Sequence, residues 1–115
     1  MKKNYYIQFL NLLKALEHPP IAPDIDVTSK LILDEVAISL AKGEMLTVSD
    51  VMGLKHIGSP ATLHRKLNML IASRMVDPIF QGNNRRTKYI ALTEEGEAYF
   101  RRLSDAIQMT RTSPR

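Results

Sequence analysis

The sequence predicts an α+β fold that is mainly helical. Three observations carry this: apolar residues recur at helical spacing in successive stretches, two short β-like segments flank a Gly-Asn turn, and the length suits one domain. The 115 residues are 44% hydrophobic and 24% charged, enough for one modest core and too few for two. A single domain is expected over residues 1–110, with a disordered tail at 111–115.

Residues 3–17 place Tyr5, Tyr6, Ile7, Phe9, Leu10, Leu12, Leu13 and Leu16 on an apolar arc wider than one core contact needs. His18-Pro19-Pro20 stops that helix, since proline disfavours helical geometry at its predecessor and has no amide donor. An irregular connection over Ile21 to Asp26 follows, and Asp26 or Thr28 can cap the next helix. That helix carries Leu31, Ile32, Val36, Ala37 and Leu40 and ends at Gly43, a residue suited to the left-handed conformation past a helix end. Met45 and Leu46 make a short apolar step before Thr47-Val48-Ser49-Asp50, which has the spacing of a capping box and opens a short helix to about Leu54. Lys55 to Gly58 is a turn. Ser59-Pro60 opens the next helix, the hydroxyl capping free amides while proline at the first position sacrifices no hydrogen bond.

This helix turns Leu63, Leu67, Leu70 and Ile71 to one side and Ala61, Thr62, Arg65, Asn68 and Met69 to the other. Val76 to Phe80 contains Pro78 and can only be an edge strand or a bulged one. Gln81 to Asn84 supplies turn residues, and Lys88 to Leu92 is the return strand of a hairpin with Arg85 and Arg86 at its tip. Thr93-Glu94-Glu95 caps a last helix, with acids at its positive end and one stripe of Phe100, Leu103 and Ile107.

Charge is unevenly spread along this order. The chain carries +4 overall, with −2 over residues 1–54, +6 over 55–88 and zero over 89–115, so a polyanion partner would meet residues 55–88. Cysteine is absent, which excludes disulfides, thiolate chemistry and zinc fingers. His18, His56 and His64 are too far apart for local ligand spacing, and no metal site or cofactor is expected. No Gly-x-Ser-x-Gly elbow, phosphate-cradling glycine loop or paired carboxylates frame a catalytic centre, so the chain is not expected to be an enzyme. No apolar run approaches the ~20 residues of a membrane span. The basic start Met1-Lys2-Lys3 leads into a stretch broken by Gln8, Asn11 and Lys14, which favours a mature cytoplasmic protein over a secreted one.

Helix, turn, helix and a basic hairpin are the order of a winged helix-turn-helix with a two-stranded wing, here between N- and C-terminal helices. From Leu46 to Leu103 the chain resembles the MarR family of bacterial transcription regulators. The resemblance rests on Leu46-Thr47-Val48-Ser49-Asp50-Val51, on Ser59-Pro60-Ala61-Thr62-Leu63-His64-Arg65, on Asn83-Asn84-Arg85-Arg86 and on Leu92-Thr93-Glu94-Glu95-Gly96, at the family's separations. It departs in having Asn for the wing's usual Asp, which implies an amide contact there, and Arg74 for the common Gly before Met75. The chain is also shorter than many members.

The resemblance implies a homodimer that reads double-stranded DNA, with a small-molecule effector as a further partner. Arg can bond bidentately to guanine, and Ala or Thr can touch a thymine methyl. The expected DNA-binding residues are Ser59, Ala61, Thr62, His64, Arg65, Lys66, Asn68, Arg85, Arg86 and Lys88, with Lys55 and Arg74 steering toward phosphates. The helices at 1–18 and 93–109 are expected to dimerise through Tyr6, Phe9, Leu10, Leu13, Phe100, Leu103 and Ile107. The alternatives are a winged-helix module whose basic hairpin docks an acidic protein, and a phage or plasmid replication accessory.

Overall fold

The computed structural model describes residues 4–16 and 25–112. In chain order these form α1 (Tyr5–Leu16), α2 (Val27–Ala41), α3 (Val48–Met52), α4 (Pro60–Ala72), β1 (Val76–Gln81), β2 (Asn84–Leu92) and α5 (Glu94–Thr112). This is the expected mainly helical α+β order of a winged helix-turn-helix. Two compact units divide the chain: Asp24–Glu97, and Met1–Pro23 together with Ala98–Arg115. The stop expected at His18-Pro19-Pro20 lies outside the described residues, as do residues 113–115, while α5 continues helical to Thr112, into the expected tail.

In the unit Asp24–Glu97, local chemistry sets each helix boundary. Asp26 caps α2 by accepting from the Ser29 amide at 2.7 Å. At the other end Gly43 (φ +83°) and Glu44 donate their amides to the Leu40 and Ser39 carbonyls, a Schellman closure that glycine suits. Thr47 and Asp50 complete a reciprocal capping box on α3. Ser59 caps α4 with Pro60 at its first turn.

The core joins α2, α3, α4 and the hairpin. Ile32, Leu33 and Val36 of α2 meet Val51 of α3 and Leu63, Leu67 and Leu70 of α4, with Met75, Val76 and Ile90 closing the cluster. Burying each such aliphatic side chain contributes about 1.5–3 kcal/mol before entropy is charged against it. The buried face of α2 is the 29, 32, 33, 36 stripe, so Leu33 replaces the expected Leu31, which is exposed. Polar Ser29 shares that stripe and disguises it in the sequence.

The wing is antiparallel, with Val76 opposite Leu92 and Ile79 opposite Tyr89. Gln81 pairs with Asn84 across the two-residue turn Gly82-Asn83, where Gly82 has φ +57°. Positive φ at the first central position fits the right-handed twist of the strands and costs glycine little. The register slips between Ile79 and Gln81, so that residues 85–88 bulge opposite Phe80. On the other edge of β2, the Ile90 amide donates to the Leu46 carbonyl at 2.7 Å and Thr47 bridges Tyr89, so the apolar step at Met45-Leu46 is a strand-like cover.

Candidate nucleic-acid interface

The outward face of α4 follows from which of its residues the core takes. With Leu63, Leu67 and Leu70 buried, helical geometry leaves Ala61, His64, Arg65 and Asn68 exposed on the opposite side, and Thr62 half-buried. Arg65 has no ion pair among the described residues. His64 and Asn68, one turn apart, lie within 3.4 Å through Nδ1 and Nδ2. At the start of the helix the Ser59 hydroxyl accepts from the Thr62 amide at 3.2 Å and donates to the Thr62 hydroxyl at 3.1 Å. That pair fixes how the chain enters α4, and both hydroxyls are engaged within it.

Lys66 behaves differently from its neighbours. It was expected on the nucleic-acid face, yet its side chain is only 16% exposed and its ammonium pairs with the Asp26 carboxylate at the start of α2. Asp26 therefore caps α2 with one oxygen and holds α4 with the other. The Lys66 hydrogen bond, followed by the Ser29 amide, holds the Asp26 carboxyl below its ordinary value, at about 2. Lys66 is thus a tie between helices whose charge is already matched.

The wing gathers the other cations. Arg85 and Arg86 were expected at the hairpin tip and instead lie in β2 just past the turn, inside the bulge. Asn84 shapes that bulge, its side-chain oxygen accepting from the amides of Arg86 at 2.9 Å and Thr87 at 3.3 Å. The expected amide contact is therefore made to backbone. Arg85 and Lys88 both sit over the Phe80 ring, 5.5 and 5.7 Å from its centroid. Between this bulge and the first turn of α3 is a cleft of about 350 Å³, lined by Thr47, Ser49, Phe80, Arg85, Arg86 and Lys88 among others. Sequence reasoning found its cations and missed Thr47, Ser49 and Phe80, because their neighbourhood is created by the hairpin folding back toward α3.

Lys55 lies in the turn between α3 and α4 and is exposed. Arg74, also exposed, follows α4 with φ +66°. Of the residues expected to dimerise, Tyr6, Phe9 and Leu10 on α1 are exposed and Leu13 is half-buried; on α5 Ile107 is exposed, and Phe100 and Leu103 are half-buried. His56 lies 3.9 Å from Glu35 on the surface. Among the described residues no group of three or more His, Cys, Asp or Glu could hold a metal, and no helix is long and apolar enough to cross a membrane.

No protein-family model matches the chain, and no curated protein matches it. Solved structures do. RV1404 from Mycobacterium tuberculosis matches with a TM-score of 0.59 at 16% identity, covering 96% of this chain and 78% of its own. AbsC, a MarR family transcriptional regulator from Streptomyces coelicolor, matches with a TM-score of 0.55 at 18% identity, over 90% of this chain and 70% of its own. BpsR from Bordetella bronchiseptica, whose DNA binding is regulated by 6-hydroxynicotinic acid, matches with a TM-score of 0.52 at 17% identity, over 94% and 86% respectively. At these identities the likeness is one of fold, and the chain has the winged helix-turn-helix fold of the MarR-family transcriptional regulators.

Proposed function

We propose that this protein is a cytoplasmic, DNA-binding regulator of transcription that acts as a homodimer. The observation that carries the reading is the exposed α4 face of Ala61, Arg65 and Asn68, on the same unit as a wing, with Arg65, Arg85, Arg86 and Lys88 all without a carboxylate partner among the described residues. In this reading α4 enters the major groove, where Arg65 and Thr62 read base edges. Arg85, Arg86 and Lys88 take phosphates or the minor groove, and Lys55 and Arg74 steer. Ser59 supports the interface by capping α4 at the surface, and Lys66 by tying α4 to α2.

Two copies place two such helices on successive turns of duplex, on the order of 34 Å apart, and so read a palindrome. The exposed side chains of Tyr6, Phe9 and Leu10 on α1 and Ile107 on α5 support a dimer made through the terminal helices. A small-molecule effector is the remaining partner, as the regulation of BpsR by 6-hydroxynicotinic acid suggests for a protein of this fold.

The test is a titration against randomised duplex DNA at two salt concentrations, with sequencing of the bound fraction. An enriched palindrome is expected. With roughly five phosphates neutralised per subunit, the log-log salt slope should be about −9. Arg65→Ala should abolish the sequence preference. A slope near zero with no enrichment overturns the reading and favours docking of an acidic protein on the wing.

A further inference from the structure

We propose that the cleft between α3 and the wing is a binding site for a phosphate group. The proposal concerns the wing of the DNA reading above but stands on the chemistry of the cleft itself. Three cations converge there, Arg85, Arg86 and Lys88, and among the described residues no carboxylate lines it. The nearest acid in sequence, Asp50, is not among the lining residues, and its carboxylate accepts from the Thr47 amide at 2.9 Å.

The cations are held in place before any ligand arrives. Arg85 and Lys88 share one face-forming ring, that of Phe80, and Asn84 pins the backbone of the bulge between them. Holding like charges on one ring concentrates positive potential that only an anion relieves. Preorganisation also lowers the entropy lost when the ligand binds. Opposite the cations, α3 brings hydroxyl donors. The Ser49 hydroxyl makes no hydrogen bond among the described residues, and Thr47 Oγ1 accepts from the Asp50 amide while keeping its own proton to donate. Guanidinium forks, an ammonium and hydroxyls around about 350 Å³ suit a tetrahedral phosphate oxyanion.

Such a group has two sources, a phosphate monoester free in solution and a phosphodiester of the duplex backbone. Free phosphate in the cleft would share its cations with DNA, giving the regulator a response to small phosphorylated compounds at its wing.

The experiment is an NMR titration of the isotope-labelled full chain with inorganic phosphate, against sodium chloride at matched ionic strength. Saturable shifts confined to the amides of 47–49 and 85–88 are expected with phosphate and not with chloride. Arg86→Gln should weaken the phosphate titration roughly tenfold, as loss of a charge-assisted contact does. Ser49→Ala should weaken it by about two- to fivefold, and its spectrum reports whether the fold is intact. Shifts that grow linearly and equally with both salts, or saturable shifts that neither variant alters, overturn the proposal.

A second arm uses a labelled duplex at fixed ionic strength. Displacement by phosphate assigns the site to both sources, and phosphate saturation with the duplex still bound assigns it to the free anion. If no duplex binds at all while phosphate saturates, the DNA reading fails and the phosphate site stands.

Discussion

Arg74 occupies a position that the backbone reserves for glycine. It is the residue past the α4 cap, at φ +66°, where its amide donates to the Ile71 carbonyl and the Met75 amide to the Leu70 carbonyl. This is the same closure that Gly43 makes after α2, carried out by a residue with a Cβ. Arg74→Gly should therefore stabilise the protein by about 0.5–1 kcal/mol, the relieved strain exceeding the extra freedom glycine has when unfolded. Arg74→Ala, which keeps the strain, should show no such gain, and urea denaturation of the two variants checks this. Gly96 presents the opposite case. A Cβ there would sit 2.3 Å from the Met75 carbonyl oxygen, while the Gly96 amide donates to Thr93 Oγ1 at 2.9 Å. Thr93 in turn donates to the Arg74 carbonyl, so the start of α5 is drawn against the end of α4. Gly96→Ala must push that contact apart, and a loss of about 1–3 kcal/mol in the same assay is expected.

Between elements, the tie from α4 to α2 and the bulged wing divide the basic residues into two kinds. Lys66 pairs its charge with Asp26, whereas Arg86 has no acid partner among the described residues. Arg86→Ala should reduce the salt slope of duplex binding by about one for each subunit, as a lost phosphate contact does. Lys66→Ala should leave the slope unchanged and lower thermal stability instead. Fluorescence anisotropy at several salt concentrations, beside thermal melts, separates the two. The tie also makes stability depend on acid. Because the folded state holds the Asp26 carboxyl at about 2 against an ordinary 3.8, its contribution is full above the ordinary value and is lost as pH falls toward 2. Asp26→Asn keeps a good cap but removes the ionised partner. Denaturation at pH 6 and pH 3 should show the wild type losing more stability than this variant over that interval.

At the scale of the whole molecule, the proposed function needs two copies, and the terminal helices offer the surface. Tyr6, Phe9 and Leu10 are 67%, 39% and 39% exposed, an apolar group on α1 that water solvates poorly. Leu10→Glu places a charge on that surface, and sedimentation should show self-association weakened roughly tenfold or more, with duplex affinity falling alongside. A variant that dimerises as before would place the interface elsewhere.

Much of the unit Asp24–Glu97 was legible because its signals are local. The Thr47 and Asp50 box, the Ser59-Pro60 opening, Gly43 past α2 and the Leu63, Leu67, Leu70 stripe each act over one helical turn, where sequence separation and spatial separation coincide. The order of those signals determined the winged helix-turn-helix, and the net charge of residues 55–88 marked the basic region. What remained hidden depends on partners distant in sequence. Lys66 looks like any exposed lysine until Asp26, forty residues earlier, is folded against it. Ser49 and Phe80 acquire meaning only once the bulge brings Arg85 and Lys88 over a ring that faces α3. The sequence by itself determined the elements, their order and the charge they carry, while packing moved the start of β2 to Asn84 and the end of α5 to Thr112. Tertiary structure alone decided which charges are matched and which stay free, since that depends on distances the chain sets only by packing.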